Sequence, residues 1–342
     1  MKKFLCCILV AALMLGIFAG CGRQDTPPTE STGENQTENP DRSQTESTDK
    51  NQTESTGADQ TESIGAEQTE STEAKPQEVK SMNILMVGNS FCYYFCDELY
   101  GMLKAVGIEA NIYNAYYSGC LLQQHWQWWK NAESRYELIS NNANGRRSKN
   151  NVSLEYCLAQ GDWDVITLQE GSSTMRTGDP AEELAKSAQY RQELYGLFAQ
   201  KHPDAKLYWH QTWAYQVGFD KFNYFVNGAE QAAYHERQRT YALGVCTENN
   251  VARIPSGDAW KLVRDGGYDN LCARLAMNNG LGDDYHDGDI GGGQYLNACV
   301  WFETLTGQSC IGNTFRPDYA LSEDLIVKLQ NAAHQAVAEM NS

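Results

Sequence analysis

The sequence predicts an α/β protein in which a mainly parallel five-stranded sheet is covered by helices on both faces. From residue 82 onwards, short apolar runs alternate with segments whose apolar residues recur at helical spacing. The apolar runs are continuous, which is typical of parallel strands that are buried on both faces. About 260 residues follow the polar N-terminal part of the chain, enough for one domain with a substantial core.

The first segment, 1–21, contains two lysines, an apolar run and then small residues before Cys21. This order is typical of a secretory signal. Its end, Phe18-Ala19-Gly20-Cys21, resembles the signal of a bacterial lipoprotein, in which cleavage leaves the cysteine as a lipidated N-terminus. We therefore expect a protein anchored through Cys21 on the outer face of the cytoplasmic membrane. The alternative is a retained N-terminal helix.

The second segment, 22–80, has almost no large apolar residue, and the triplet QTE begins at 36, 44, 52, 60 and 68. No face of such a repeat can be buried, so the pattern predicts a disordered acidic tether. A flexible chain of this length has an r.m.s. span of roughly 40–45 Å. The remaining domain, 81–342, would then lie close to the membrane without resting on it.

The chain has a formal net charge of −17 at pH 7. This charge argues against nucleic-acid partners and against docking onto anionic lipid, so lipidated Cys21 is the only membrane contact that we expect. Eight of the eleven cysteines lie in 81–342, and an exported location permits disulfides, although spacing does not show whether they form. The sequence contains no CxxC pair, and we expect no zinc site and no cofactor.

The predicted elements alternate along the domain. The strands are expected at 82–88, 107–117, 163–173, 205–213 and 250–260, and the helices at 92–106, 118–130, 153–160, 181–201, 228–247, 294–307 and 322–340. The polar stretch 131–151 is interpreted as an inserted loop, and the Gly- and Asp-rich stretch 266–294 as a second loop. Parallel sheets place their chemistry at the carboxyl ends of the strands. The residues of interest do lie at or just after the carboxyl ends of the first four strands, namely Asn89 and Ser90, Ser118 and Gly119, Gln169 and Glu170, and His210 and Trp213.

Ser90 follows the first strand, where a helix begins. A serine at this position can cap the helix, or it can attack a carbonyl carbon beside the unpaired N–H groups of the first turn. Attack requires a base, and His286 is a candidate because Asp283 precedes it by three residues and can orient the imidazole. His210, at a strand end, is the rival base.

The same acidic loop overlaps the start of a calcium-binding loop at Asp283, Asp287, Gly288 and Asp289. Tyr285 and Gln294 occupy two ligand positions of that motif, and neither residue type fits there. We therefore expect no metal at this loop.

Four blocks, VGNSF, Gly119, LQEGSS and DDYH, occur in an order and spacing that resemble the SGNH (GDSL-type) hydrolases. The GNSF and LQE blocks are similar to those of an uncharacterised, DUF4886-like branch, and the resemblance covers about 82–307. It implies a flavodoxin-like three-layer α/β/α sandwich and a serine esterase mechanism.

By the same resemblance, Ser90 is the nucleophile, His286 the general base and Asp283 its orienting carboxylate. The resemblance also implies that the N–H groups of Ser90 and Gly119 donate to the oxyanion. The usual third donor, an Asn in a G-x-N-D block, has no counterpart here. Gln169 can donate and an ionised Glu170 cannot, so Gln169 is the preferred third donor.

The expected substrate is an acylated carbohydrate or another small ester, with acetyl as the favoured acyl group. Asn89, Trp213 and His210 are candidate substrate contacts near the strand ends. A surface glycan-binding lipoprotein that uses a hydrolase-like fold without turnover is the alternative.

Overall fold

The computed structural model describes residues 80–218, 225, 227–273 and 288–341. The predicted signal, the predicted tether up to residue 79, and the predicted catalytic residues Asp283 and His286 lie outside the described residues, whereas Lys80 begins the first strand. Their predicted roles therefore stay predictions. None of the helices in the described part of the chain is both long and apolar enough to cross a membrane.

The described residues form seven strands, which are β1 (Lys80–Gly88), β2 (Ile108–Tyr116), β3 (Tyr136–Asn142), β4 (Gly145–Val152), β5 (Val165–Leu168), β6 (Lys206–His210) and β7 (Ala252–Ile254). Their helices are α1 (Cys96–Ala105), α2 (Leu122–Lys130), α3 (Leu154–Leu158), α4 (Pro180–Lys201), α5 (Gly228–Asn249), α6 (Ser256–Asp265), α7 (Gly293–Thr306) and α8 (Glu323–Asn341). A short 3₁₀ turn, Ser90–Cys92, lies between β1 and α1.

The strands form one sheet in the order β4-β3-β2-β1-β5-β6-β7. The five predicted strands correspond to β1, β2, β5, β6 and β7, and every pair of neighbours among them is parallel. This confirms the predicted α/β fold class. The strand prediction for 250–260 was too long, because only Ala252–Ile254 is extended and α6 begins at Ser256.

The prediction of an inserted loop at 131–151 was wrong. This stretch forms most of an antiparallel hairpin, β3–β4, which extends the sheet beyond β2. Every residue of β4 except Val152 is exposed, so the strand lacks the apolar alternation that would reveal it in the sequence. Charged, exposed side chains are common on edge strands, where they oppose pairing with other chains.

The helices pack in two groups, α1, α6, α7 and α8 in one and α2, α3, α4 and α5 in the other, and α5 also contacts α6. The chain leaves β1 towards β2 and leaves β5 towards β6, and these two steps run in opposite directions across the sheet. Right-handed crossovers therefore place α1 and α4 on opposite faces, and the sheet lies between two helical layers. The central strand residues Ile84, Leu85, Met86, Ile166 and Leu168 are completely buried between these layers.

Candidate active site

Ser90 is the first residue of the 3₁₀ turn that follows β1. The turn is capped by Asn89, whose Oδ1 accepts a hydrogen bond from the Phe91 N–H at 3.1 Å. The capping role considered for Ser90 therefore belongs to its neighbour. Ser90 is partly exposed at the carboxyl end of the central strand, where the fold class places its chemistry.

Gly119 lies in the turn between β2 and α2, close to Asn89. Its φ is +65°, in the left-handed region that favours glycine. A Cβ atom added at Gly119 would meet no atom within 4 Å, so backbone conformation and not lack of space requires the glycine. The turn is tied to Asn89, because Asn89 Nδ2 donates to the Cys120 carbonyl oxygen at 3.0 Å.

A chain of buried hydrogen bonds extends from this turn into the interior. Gln169 Nε2 donates to Asn89 Oδ1 at 2.6 Å, and Gln169 Oε1 lies 3.2 Å from His210 Nδ1. The other ring nitrogen, His210 Nε2, lies 3.0 Å from Ser256 Oγ and 3.4 Å from Trp301 Nε1. We call this series of side chains the buried relay; it joins the ends of β1, β5 and β6 to α6 and α7.

The direction of the hydrogen bonds in the buried relay follows from the Cys120 carbonyl oxygen, which accepts from Asn89. A backbone carbonyl accepts only, so Asn89 must turn its amide nitrogen to Cys120 and its oxygen to Gln169. Gln169 must then present its oxygen to His210, which carries its proton on Nδ1. Nε2 is left as the acceptor for Trp301 and Ser256.

His210 is 1% exposed, and burial lowers the pKa of His210 to about 3. The imidazole is therefore neutral at neutral pH. Both of its nitrogens have protein partners in the buried relay, so His210 is built into the support of the site. Sequence reasoning did not anticipate Ser256 or Trp301, because both come from helices far along the chain.

Gln169 is held tightly against the end of β1. A Cβ atom added to Gly88 would lie 2.8 Å from Gln169 Cδ and 2.9 Å from Cys92 Sγ, so only glycine permits this approach. Gln169 is 1% exposed. Its amide nitrogen carries two hydrogens, and one of them is directed at Asn89 Oδ1.

Glu170 has a different function from its neighbour Gln169. Its Oε1 accepts hydrogen bonds from the Leu122 N–H at 2.9 Å and from the Gly171 N–H at 2.7 Å. The carboxyl group therefore caps the N-terminus of α2 from a strand two positions away in the sheet. Burial raises the pKa of Glu170, and these backbone donors oppose that rise.

Asn89, His210 and Trp213, which the sequence suggested as substrate contacts, are 2%, 1% and 0% exposed. The Trp213 ring stacks on Trp260 at 4.9 Å and meets the edge of Phe91 at 4.7 Å. Because Phe91 follows Ser90 in the 3₁₀ turn, this packing holds the turn against the core. We interpret all three residues as supports of the site.

The structure thus brings together Ser90, Gly119, Asn89, Gln169 and His210 at one edge of the sheet. All eight domain cysteines are described and carry free thiols. Among the described residues, no group of three His, Cys, Asp or Glu side chains is arranged to hold a metal ion.

Residues 83–336 match a family model described as a domain of unknown function, DUF4886. The chain belongs to the DUF4886 family. No curated protein sequence matches it.

Among solved structures, a DUF4886 family protein from Bacteroides uniformis is 24% identical, with a TM-score of 0.66 over 77% of this chain and 97% of that one. A protein from Slackia heliotrinireducens, proposed to be an SGNH hydrolase, is 20% identical, with a TM-score of 0.45 over 66% and 100% of the two chains. The acetylxylan esterase Axe2 from Geobacillus stearothermophilus is 13% identical, with a TM-score of 0.39 over 67% and 97%. The mixed α/β fold of this DUF4886 chain is thus similar to that of the family member from Bacteroides uniformis.

Proposed function

We propose that this DUF4886 protein is an extracytoplasmic serine esterase that removes small acyl groups, most simply acetyl, from carbohydrate. One observation carries the proposal: Ser90 begins a helical turn at the end of the central strand, beside the left-handed turn at Gly119 and the buried relay. A nucleophile and oxyanion donors need to be held in position before the substrate arrives, and a fixed turn beside buried hydrogen bonds supports assigning these roles here.

In the proposed reaction, Ser90 Oγ attacks the acyl carbon while His286 accepts the hydroxyl proton and Asp283 orients the imidazole. The carbonyl π electrons move onto oxygen, which is stabilised by N–H groups of Ser90, Gly119 and Gln169. The tetrahedral intermediate collapses, the sugar oxygen leaves with the proton from His286, and an acyl-Ser90 ester remains. Water, deprotonated by His286, attacks that ester and releases the carboxylic acid and free Ser90.

The buried relay has a supporting role in this proposal. Asn89, Gln169 and His210 are positioning residues in the direction that the Cys120 carbonyl oxygen dictates. Gln169 has a second N–H besides the one directed at Asn89, and this N–H is the proposed third donor to the oxyanion. His286 is preferred to His210 as the base because His210 already uses both ring nitrogens inside the protein.

The test is hydrolysis of p-nitrophenyl acetate by the purified full chain. Ser90→Ala is expected to remove the activity, a fall of at least about 10⁴-fold, because the nucleophile is lost. Its circular dichroism spectrum should be unchanged. Ser148→Ala, at an exposed position on β4, is the matched control and should keep full activity.

Equal rates for wild type and Ser90→Ala would refute the esterase. In that case, saturable sugar binding that survives Ser90→Ala would support the glycan-binding alternative.

A further inference from the structure

A groove of about 480 Å³ lies beside the Gly119 turn. We call it the hairpin groove; its lining includes Tyr116, Tyr117, Ser118, Arg135, Asn150 and Asn151. Ser118 immediately precedes Gly119, and the Tyr116 ring lies 4.8 Å from that of Tyr93, whose N–H donates to the Ser90 carbonyl oxygen. The groove therefore lies next to the two segments that carry Ser90 and Gly119.

The second wall of the groove is supplied by the β3–β4 hairpin. The register of the hairpin shifts between Tyr136 and Leu138, which marks a bulge beside the groove. Asn151, on the opposite strand, has a φ of +57°, unusual for a residue other than glycine. Bulges and left-handed residues re-aim side chains and occur often beside functional sites. Both features lie where the hairpin faces the groove.

The side chains of the hairpin groove suit a sugar better than an acyl chain. Tyr117 is 38% exposed, and its ring is held against Trp128 at 4.7 Å, so it offers a fixed aromatic face. Asn150, Asn151 and Ser118 offer amide and hydroxyl groups that both donate and accept. Sugar rings have apolar C–H faces and a rim of hydroxyl groups, and this lining complements both. Among the described residues, no aliphatic side chain that could hold a lipid tail lines the groove.

The charges around the groove favour a neutral glycan. Arg135 is paired with Glu133 at 2.8 Å, and Glu137 also lines the groove. On β4, the Arg146 guanidinium lies over the Tyr93 ring at 4.5 Å, and Lys149 Nζ donates to the Tyr156 hydroxyl at 2.9 Å. Each of these three cations therefore already has a partner within the protein, whose overall charge is negative.

We propose that the hairpin groove is a binding subsite for a neutral glycan chain, and that it holds the sugar units next to the one that carries the acyl group. The consequence for catalysis rests on the proposed esterase function, whereas glycan binding does not. The protein would then be specific for oligosaccharides and polysaccharides, and the β3–β4 hairpin would determine that specificity.

Binding can be measured without turnover by isothermal titration of the full chain with unacetylated xylohexaose, cellohexaose and mannohexaose. We expect saturable binding of at least one of these, weakened at least about fivefold by Tyr117→Ala and by Asn150→Ala. Tyr117→Phe should retain binding, because the ring face remains. Val327→Ala, an exposed position on α8, is the control.

The same variants separate this subsite from the esterase proposal. Tyr117→Ala and Asn150→Ala should keep wild-type rates on p-nitrophenyl acetate, while the KM for an acetylated form of the bound glycan rises. Absence of binding to all three hexasaccharides would overturn the subsite, as would binding that neither variant weakens. Equal losses on both substrates with unchanged thermal stability would also overturn it, because the residues would then act at the reaction centre. Glycan binding without any esterase activity would refute only the proposed function.

Discussion

Asn89, Gln169 and His210 are side chains whose donors and acceptors are assigned by a single acceptor, the carbonyl oxygen of Cys120. From that point the hydrogen bonds of the buried relay have only one consistent direction. An amide in such a position cannot flip without breaking two buried bonds, and each unsatisfied group costs about 1–3 kcal/mol. The relay therefore holds Gln169 in one orientation beside Ser90.

Gln169→Glu tests this residue with almost no change of shape. The carboxylate has no N–H group, so it would face Asn89 Oδ1 as an acceptor and would oppose an oxyanion. We expect kcat on p-nitrophenyl acetate to fall about 10²–10³-fold, the usual cost of one oxyanion donor. Gln308→Glu, an exposed position after α7, is the matched control. If Gln169→Glu keeps its kcat within twofold, Gln169 is not a donor to the oxyanion.

The buried imidazoles of His125, in α2, and His210 should make the stability of the fold depend on pH. Burial lowers the pKa of each imidazole from 6.5 to about 3, so the native state excludes the charged form. Their contribution to stability is complete above pH 6.5 and is lost as the pH falls towards 3. Below pH 6.5, each histidine should lower the free energy of unfolding by at most about 1.4 kcal/mol for each unit that the pH falls.

Urea denaturation at pH 7.5, 6, 5 and 4 measures this slope. His125→Gln and His210→Gln should each reduce it by about one proton's contribution, whatever their effect on stability at pH 7.5. A slope that neither variant changes would contradict the buried neutral state of these imidazoles.

At the scale of elements, the turn between β2 and α2 is supported from two sides. Asn89 holds the Cys120 carbonyl oxygen, and Glu170 caps the N-terminus of α2 at Leu122. The LQE block after β5 therefore has two separate functions, because Gln169 faces the buried relay while Glu170 supports the neighbouring helix. Gly119 immediately precedes these two supports, so they hold the chain next to its N–H group.

Gly119→Ala tests the turn because the structure offers a matched control. Gly119 and Gly307 have φ values of +65° and +68°, and an added Cβ atom would have open space at both positions. Each substitution should therefore cost a similar free energy of unfolding, about 1–2 kcal/mol, from left-handed strain alone. Only Gly119→Ala should also reduce the rate on p-nitrophenyl acetate, because the turn relaxes away from the position that binds the oxyanion. Equal activity of the two variants would show that the Gly119 N–H group takes no part in catalysis.

At the scale of the whole molecule, the proposed esterase domain is carried on a predicted tether. The signal-like segment 1–21 and the acidic repeat 22–80 together predict an enzyme held near, but not against, a membrane surface. Such an arrangement suits a polymeric substrate at the cell surface, since the enzyme can search a volume around its anchor.

Cys21→Ser tests the anchor. In a bacterial host that lipidates exported proteins, the wild-type chain should incorporate labelled palmitate and partition into the detergent phase, because the lipid is attached at Cys21. Cys21→Ser should do neither, while Cys7→Ser, within the apolar run of the same segment, should behave as wild type. Labelling of the Cys21→Ser chain would contradict lipidation at this position.

The sequence was sufficient to predict the parallel strands, the residues of interest at their carboxyl ends, and the position of Ser90 at the end of β1. These features depend on residues that are near one another in the chain, namely continuous apolar runs and the polar residues that follow them. The hairpin escaped prediction because β4 is exposed on both faces and has no apolar periodicity.

Only the tertiary structure decided which side chains support the site. Asn89 caps the turn that Ser90 begins, Glu170 caps α2, and His210 finds its partners in Ser256 and Trp301. These bonds join residues on separate strands and helices. The sequence pattern does not distinguish a polar residue that faces solvent after a strand from one that faces the interior. Burial and direction come from packing, and packing determined that His210 supports the site from the interior.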